Sequence, residues 1–198
     1  DGIDLEYYES GKVKVRMSYK DGKPQGEVLS FYENGRIKEK AYYKDGILEG
    51  KFTKYYENGK LSEEYNCTQG KLNGEYKVYY ENGNLKESGN YLDNKLEGKY
   101  LKYYENGNIE EDYIYIQNML NGPYKNYYED GSLKRTGNYK NDIVDGEAIF
   151  YLESGQIGEK GFFINGKIEG EHLFYDKTGK LIKKETYKNG NLISTEEF

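Results

Sequence analysis

The stretch GKYLKYYENGNI at residues 98–109 recurs, with substitutions, every 24 residues along the chain. The glycine that opens it belongs to the series Gly2, Gly26, Gly50, Gly74, Gly98, Gly122, Gly146 and Gly170. The glycine near its end belongs to a second series, Gly11, Gly35, Gly59, Gly83, Gly107, Gly131, Gly155 and Gly179. A fixed period of this length is typical of repeat arrays, whose units are too small to bury an apolar face alone.

We number the positions of a repeat from 1, at the opening glycine, to 24. Position 6 is always aromatic: Tyr7, Phe31, Tyr55, Tyr79, Tyr103, Tyr127, Tyr151 and Tyr175. Position 12 is always aliphatic: Val13, Ile37, Leu61, Leu85, Ile109, Leu133, Ile157 and Leu181. Short aromatic and aliphatic stretches, punctuated by glycine-containing pairs about every dozen residues, predict β-strands joined by tight turns.

The first turn of each repeat is predicted to be a three-residue loop. Position 10 is only ever glycine, whereas position 9 varies and includes the β-branched Thr178. A two-residue type I′ turn needs positive φ at both places, which threonine resists. A three-residue loop needs positive φ only at its glycine, and it sets position 6 opposite position 12 as a cross-strand pair.

A second reversal is predicted around position 21, which holds only residues that tolerate left-handed backbone. These are Gly22, Gly46, Gly70, Asn94, Asn118, Asp142, Gly166 and Gly190. Two reversals per repeat predict an all-β fold, an elongated single-sheet antiparallel meander of eight 24-residue β-hairpin repeats, twisted or superhelical. Residues 1–198 are predicted to form a single array with units 2–25, 26–49, 50–73, 74–97, 98–121, 122–145, 146–169 and 170–193, and a partial capping strand at 194–198.

Composition excludes several classes of partner. The formal net charge is −6, and acidic and basic residues are interspersed. No basic block exists to neutralise phosphates, so we expect neither nucleic acid nor an anionic membrane as partner. A chain that starts at Asp1 without methionine suggests a trimmed or processed precursor, which favours an exported or cell-envelope location, with the cytoplasm as the alternative.

With these motifs established, the chain resembles the MORN-repeat superfamily in its bacterial variant form, including the YwqK-type antitoxin-like proteins. The resemblance rests on Gly-x-Tyr-x-x-Tyr-Tyr-Glu-Asn-Gly-x-Leu, as at Gly98 to Ile109, and on Asn-Tyr-x-x-x-x-Leu-x-Gly, as at Asn90 to Gly98. It implies an array of β-hairpins that serves as a protein-binding or lipid-associating scaffold. For the YwqK type it also implies a role as antitoxin towards a cognate toxin.

The residues that support catalysis are few. His172 is the only histidine and Cys67 the only cysteine. Both lie at positions that hold aromatic residues in other repeats, so we interpret them as structural rather than as a metal ligand, a general base or a reactive thiol. Glutamates recur at positions 8 and 14, whereas an active site needs one asymmetric group of residues; a ladder of calcium sites along them is the alternative. We therefore predict no enzyme activity, no catalytic or metal-binding residue and no cofactor.

The 25 tyrosines are the main functional signal. Positions 6 and 18 are predicted to form a structural ladder on one face, with positions 3 and 7 on the other. The candidate protein-binding residues are Phe52, Tyr56, Tyr76, Tyr80, Tyr100, Tyr104, Tyr124 and Tyr128. Such a band either covers a one-layer sheet or binds a partner, since tyrosine supplies rigid contact area with a polar tip.

We predict a non-catalytic scaffold that binds another protein, with neutralisation of a cognate protein as its specific form. The alternative is an exported cell-surface module that binds glycan or a host protein through the same tyrosine-rich face.

Overall fold

The computed structural model describes all residues from Asp1 to Phe198, and they divide into two compact units, Asp1–Leu96 and Glu97–Phe198. Both units consist of β-strands and turns, and every strand pair that we describe below is antiparallel. The predicted all-β meander of hairpin repeats is thus confirmed. The chain has no helix that is long and apolar enough to cross a membrane. That residues 1–198 act as a single array stays a prediction.

The strands follow the repeat closely. The first unit contains β1 Gly2–Tyr7, β2 Val13–Lys20, β3 Lys23–Pro24, β4 Gly26–Phe31, β5 Ile37–Lys44, β6 Ile47–Leu48, β7 Gly50–Tyr55, β8 Leu61–Thr68, β9 Lys71–Leu72, β10 Gly74–Tyr79, β11 Leu85–Leu92 and β12 Lys95–Leu96. The second unit contains β13 Gly98–Tyr103, β14 Ile109–Ile116, β15 Met119–Leu120, β16 Gly122–Tyr127, β17 Leu133–Lys140, β18 Ile143–Val144, β19 Gly146–Tyr151, β20 Ile157–Ile164, β21 Lys167–Tyr175, β22 Leu181–Lys188 and β23 Asn191–Glu197.

The predicted three-residue loop is confirmed at the first turn. In the second repeat the Gly35 amide donates to the Tyr32 carbonyl at 2.8 Å, and the Tyr32 amide donates to the Arg36 carbonyl at 2.8 Å. Gly35 has φ +86°. Position 9 never has positive φ, so glycine alone carries the left-handed backbone, as a bulge loop requires. Positions 6 and 12 are paired in all eight repeats, as predicted.

A β-bulge at position 13 was not predicted, and it changes which side chains share a face. In the second repeat Phe31 pairs with Ile37, but Ser30 pairs with Glu39, so Lys38 is an extra residue without a partner. The same shift occurs in every repeat. Because an extra residue reverses the in–out alternation, positions 3, 5, 14, 16 and 18 lie on one face, which we call the ring face. Positions 2, 4, 6, 12, 15 and 17 lie on the opposite face. The prediction that positions 6 and 18 share a face is therefore wrong.

The second turn is a two-residue type I′ turn, with positive φ at positions 20 and 21, for example at Asp45 and Gly46. The Asp45 amide donates to the Gln25 side chain at 2.8 Å, and the Gly46 amide donates to the Pro24 carbonyl at 2.9 Å. Position 24 supplies the same side-chain acceptor for eight turns: Asp1, Gln25, Glu49, Asn73, Glu97, Asn121, Asp145 and Glu169. These bonds tie successive turns together, since each joins residues 20 apart in the sequence.

The strand that follows the second turn is interrupted because the backbone bends at positions 24 and 1. In the second repeat the Gln25 amide donates to the Ser18 carbonyl at 2.8 Å, and Gly26 has φ +86°. This left-handed glycine separates β3 from β4, so most repeats contain three strands instead of two. Only β21 runs through this point without a break.

Candidate functional site: the ring face

Aromatic side chains at positions 3, 16 and 18 form a packed row on the ring face of the first unit. The ring centroids of Phe52 and Tyr65 are 6.4 Å apart, and those of Tyr65 and Tyr76 are 5.7 Å apart with an interplanar angle of 8°. Tyr91 lies 4.7 Å from Tyr76. Such pairs contribute about 0.5–1.5 kcal/mol each beyond the area they bury. The rings therefore hold one another in fixed orientations.

The second unit repeats this arrangement 48 residues later. The rings of Tyr100 and Tyr113 are 6.1 Å apart, those of Tyr113 and Tyr124 are 6.2 Å apart, and those of Tyr124 and Tyr139 are 4.6 Å apart. Two repeats of 24 residues thus make one structural period of the ring face.

The longer period arises from alternating tyrosine and glycine at position 16, which holds Tyr65, Gly89, Tyr113 and Gly137. Gly89 pairs with Tyr76, and a Cβ added at Gly89 would lie 2.8 Å from the Tyr76 ring. At Gly137 the corresponding distance to the Tyr124 ring is 2.7 Å. The two rings lie flat on these glycines, and only 2% of Tyr76 and 8% of Tyr124 are exposed. Sequence reasoning missed this alternation, although it is visible at position 16.

The predicted binding residues at position 3 therefore do not form an exposed band. Tyr76 and Tyr124 are buried, and Phe52 and Tyr100 are half-buried in the ring row. Their partners are the rings at positions 16 and 18, because the bulge at position 13 moves those positions onto the same face. The rings other than Tyr76 and Tyr124 are partly exposed.

The predicted residues at position 7 have a different role from those at position 3. The Tyr56 hydroxyl donates to the Tyr79 carbonyl at 2.5 Å, Tyr104 to Tyr127 at 2.8 Å and Tyr128 to Tyr151 at 2.7 Å. Each bond joins the first turn of one repeat to the strand end of the next. Tyr80 occupies the equivalent position, with the Lys86 ammonium 5.5 Å from its ring centroid. Position 7 thus stabilises the stack of turns and lies apart from the ring row.

Burial and hydrogen bonding favour the neutral form of several tyrosines. The Tyr76 hydroxyl donates to a Glu87 carboxylate oxygen at 2.5 Å. On the opposite face, burial and a hydrogen bond to Glu64 raise the pKa of Tyr79 to about 12. Burial, followed by the nearby Glu63 carboxylate, also raises the pKa of Tyr65. The Tyr65 and Tyr79 phenols therefore stay protonated at neutral pH.

The seventh repeat interrupts the ring row with small residues. Its position 3 is Ala148 and its position 16 is Gly161, and the two are paired. Where repeats three to six place an aromatic ring, this pair leaves a cleft of about 270 Å³. Its walls are aromatic side chains from the same unit: Tyr124, Tyr139, Phe150, Phe163 and His172.

Two charged residues lie at one side of this cleft, across the strands from each other. Arg135 and Glu159 are both paired with Phe150, from β17 and β20. The Arg135 guanidinium lies 5.6 Å from the centroid of the Phe150 ring and forms no ion pair. Glu159 accepts a hydrogen bond from Nε2 of His172 at 2.7 Å. The cleft thus combines aromatic walls with one guanidinium that has no anionic partner.

We predicted structural roles for the lone histidine and the lone cysteine, and that neither takes part in catalysis stays a prediction. His172 lies in the wall of the cleft, and Cys67 is buried. The His172 ring packs on Phe174 with centroids 4.5 Å apart, besides its bond to Glu159. Cys67 is only 3% exposed, and burial raises the pKa of its thiol. A buried thiol with a raised pKa has little of the reactive thiolate form.

Comparison with known families identifies one match. A family model described as MORN repeat variant matches residues 1–21, 24–45, 48–66, 72–93, 96–117, 120–141 and 168–189, which is well over half of the chain. The longest unmatched stretch, residues 142–167, contains most of the seventh repeat, including Ala148 and Gly161. The repeat that carries the cleft therefore departs from the pattern that the other seven follow.

Comparison with the curated proteins finds no match. Among solved structures, one match is a chain of the "Crystal Structure of TcdB2-TccC3-Cdc42", at 10% sequence identity and a TM-score of 0.23. The alignment covers 94% of this chain and 14% of that chain. A similarity this weak supports no argument about fold or function.

Proposed function

We propose that this chain, which belongs to the MORN repeat variant family, is a non-catalytic scaffold that binds another protein through its ring face. The observation that supports this best is the packed row of rings without a second layer of structure above it. Tyr76 and Tyr124 are buried, but the other rings of the row keep part of their surface exposed. Aromatic rings already fixed by their neighbours supply contact area at little entropic cost, and such residues are enriched where proteins bind one another.

A matched pair of photo-crosslinking variants tests this proposal. Phe52 lies on the ring face, and Tyr42 lies on the opposite face of the same unit, 48% exposed. Benzoylphenylalanine keeps the phenyl ring of either residue and adds a photoreactive benzoyl group at its para position. We expect irradiation of cells of the source organism to give a covalent protein adduct from position 52 and none from position 42.

Unchanged thermal unfolding of both variants is the control for folding. An adduct from position 42 alone would mean that the wrong face has been assigned. Absence of an adduct from either position, in cells that express the protein, would contradict the scaffold proposal. An adduct that carries glycan instead of protein would replace it with the glycan-binding alternative.

The YwqK-type resemblance suggests that the bound protein is a cognate toxin, which the scaffold would neutralise by covering it. Co-expression tests this specific form. We expect growth arrest by the product of a neighbouring gene to be relieved by the intact chain, and not by a variant with Phe52 and Tyr65 replaced by Glu. If both the intact chain and this variant relieved growth arrest, the ring face would not be needed for neutralisation.

A further inference from the structure

The geometry points to the cleft in the seventh repeat as the pocket that anchors the partner. We infer that it receives one bulky apolar side chain from an extended segment of the partner protein, while an acidic side chain two residues away in that segment pairs with Arg135. This inference rests on the proposed function, since it names the chemistry of the protein bound at the ring face.

The apolar half of the inference follows from what the cleft lacks. In the fourth and sixth repeats, a tyrosine at position 3 covers the glycine at position 16. In the seventh repeat the glycine is kept as Gly161, but its partner is Ala148. The site therefore lacks the position 3 ring, and the His172 ring, 3.1 Å from a Cβ placed on Gly161, forms part of its aromatic wall. A ring or a branched aliphatic side chain from a partner would complete the row and bury apolar area.

The acidic half follows from the charges around the cleft. Position 14 lies beside the ring row and holds glutamate in repeats two to five: Glu39, Glu63, Glu87 and Glu111. At the sixth repeat it changes to Arg135, which has no ion-pair partner. Glu159 accepts a hydrogen bond from His172, whereas Arg135 has no carboxylate partner, so Arg135 is the charged group at the cleft that can bind a carboxylate. A planar guanidinium pairs best with a carboxylate, which can accept two hydrogen bonds from it. The row of glutamates would repel the same carboxylate elsewhere on this face.

The spacing of the two groups fixes the pattern of the segment. Ala148, in the floor of the cleft, and Phe150, which lies opposite Arg135, are two residues apart on one strand. Two residues of extended chain span roughly 6.6 Å and return to the same side. An extended partner segment therefore places alternate side chains over both groups, as apolar-x-acidic in either chain direction.

Short peptides test this chemistry directly on the full chain. The probes are acetyl-Ser-Phe-Ser-Glu-Ser-amide and acetyl-Ser-Glu-Ser-Phe-Ser-amide, each compared with the same peptide carrying Gln instead of Glu. We expect the better of the two acidic peptides to shift the NMR signals of the Ala148, Gly161 and Phe163 amides. The Gln peptide should bind about tenfold more weakly, as expected for a lost charge-assisted hydrogen bond.

Two variants and their matched controls complete the test. Ala148→Tyr restores the arrangement seen at Tyr76 and Gly89 and should abolish binding, whereas Glu147→Tyr adds the same ring to the opposite face and should leave it unchanged. Arg135→Gln should remove the preference for Glu over Gln, while Lys140→Gln should keep it. A tyrosine at position 148 would displace the His172 ring, which lies 3.1 Å from a Cβ placed on Gly161. Loss of binding by Ala148→Tyr could therefore come from a distorted cleft, so the Arg135 variant provides an independent test.

Any one of three results would overturn the inference. The first is a change of NMR signals over the whole ring face, and the second is equal binding of the Glu and Gln peptides. The third is full peptide binding by a folded Ala148→Tyr variant. This failure is distinguishable from failure of the proposed function, because Phe52 lies in the other unit. If position 52 still captures a partner protein but no peptide binds at the cleft, the scaffold proposal stands and only the anchoring role of the cleft is refuted. Peptide binding at the cleft without any adduct at position 52 would support the pocket and count against the wider scaffold.

Discussion

Replacing Tyr76 by alanine is expected to lower the free energy of unfolding by roughly 3 kcal/mol or more. The side chain is 2% exposed, packs between the rings of Tyr65 and Tyr91 and covers Gly89. Its removal leaves a cavity above a glycine that cannot fill it, and truncation of a buried aromatic residue to alanine typically costs about 3–5 kcal/mol. Urea denaturation followed by circular dichroism measures the change.

Tyr42 provides the matched control, since it is a tyrosine in the same unit with 48% of its surface exposed. Tyr42→Ala should change the free energy of unfolding by about 0.5 kcal/mol or less, as is usual for exposed sites. If the Tyr76 and Tyr42 variants lost similar stability, the ring row could not be the main source of packing energy in this unit.

Stability is also expected to fall steeply at alkaline pH. Burial is the largest cause of a raised pKa at nine tyrosines: Tyr32, Tyr56, Tyr65, Tyr79, Tyr91, Tyr104, Tyr113, Tyr124 and Tyr128. Their unfolded pKa is 10.0, so the folded state holds protons that the unfolded state releases above pH 10. The stability that they contribute is complete below pH 10 and is lost as the pH rises through the folded value, about 12 for Tyr79. Each proton retained contributes at most about 1.4 kcal/mol per pH unit, and less where the phenol is partly exposed.

The urea midpoint, measured from pH 8 to pH 12, should therefore be flat at first and then decline above pH 10. Tyr79→Phe removes one titrating group, so its decline between pH 10 and pH 12 should be shallower than that of the parent chain. A midpoint that stays constant to pH 12 would show that the phenols ionise freely in the folded state.

The regular features of the fold could be predicted from single positions of the repeat. Glycine at position 10 and a varied position 9, including Thr178, were enough to predict the three-residue loop and the pairing of positions 6 and 12. The left-handed residues at position 21 were enough to predict the second reversal. Turn geometry depends on the local backbone, so local sequence determines it.

The faces of the sheet could not be predicted in the same way. The bulge residue at position 13 is Lys38 in one repeat and Ser62 in another, and neither type signals an extra residue. One unpaired residue exchanges the faces of all later positions in the strand, so the prediction put Tyr91 beside Tyr79 instead of Tyr76. The acceptors at position 24 were visible as Asp, Glu, Asn or Gln in the first seven repeats, but their role depends on a contact with the next repeat.

The candidate site was predicted by residue type more than by place. The excess of tyrosine indicated an aromatic surface, and Phe52, Tyr76, Tyr100 and Tyr124 do lie in the ring row. The cleft was not predicted, because it consists of a missing ring. The substitutions at Ala148 and Gly161 gain meaning only when they are known to face each other.

The assignment of positions 3 and 18 to one face is tested most directly by proton–proton nuclear Overhauser contacts among the tyrosine rings of the second unit. The bulge places Tyr124 and Tyr139 on one face, with ring centroids 4.6 Å apart, and Tyr127 on the other. We expect strong cross-peaks between the Tyr124 and Tyr139 rings and none between the Tyr127 and Tyr139 rings. Cross-peaks between Tyr127 and Tyr139, without any between Tyr124 and Tyr139, would mean that the strand has no bulge at position 13. The ring face would then be wrongly assigned.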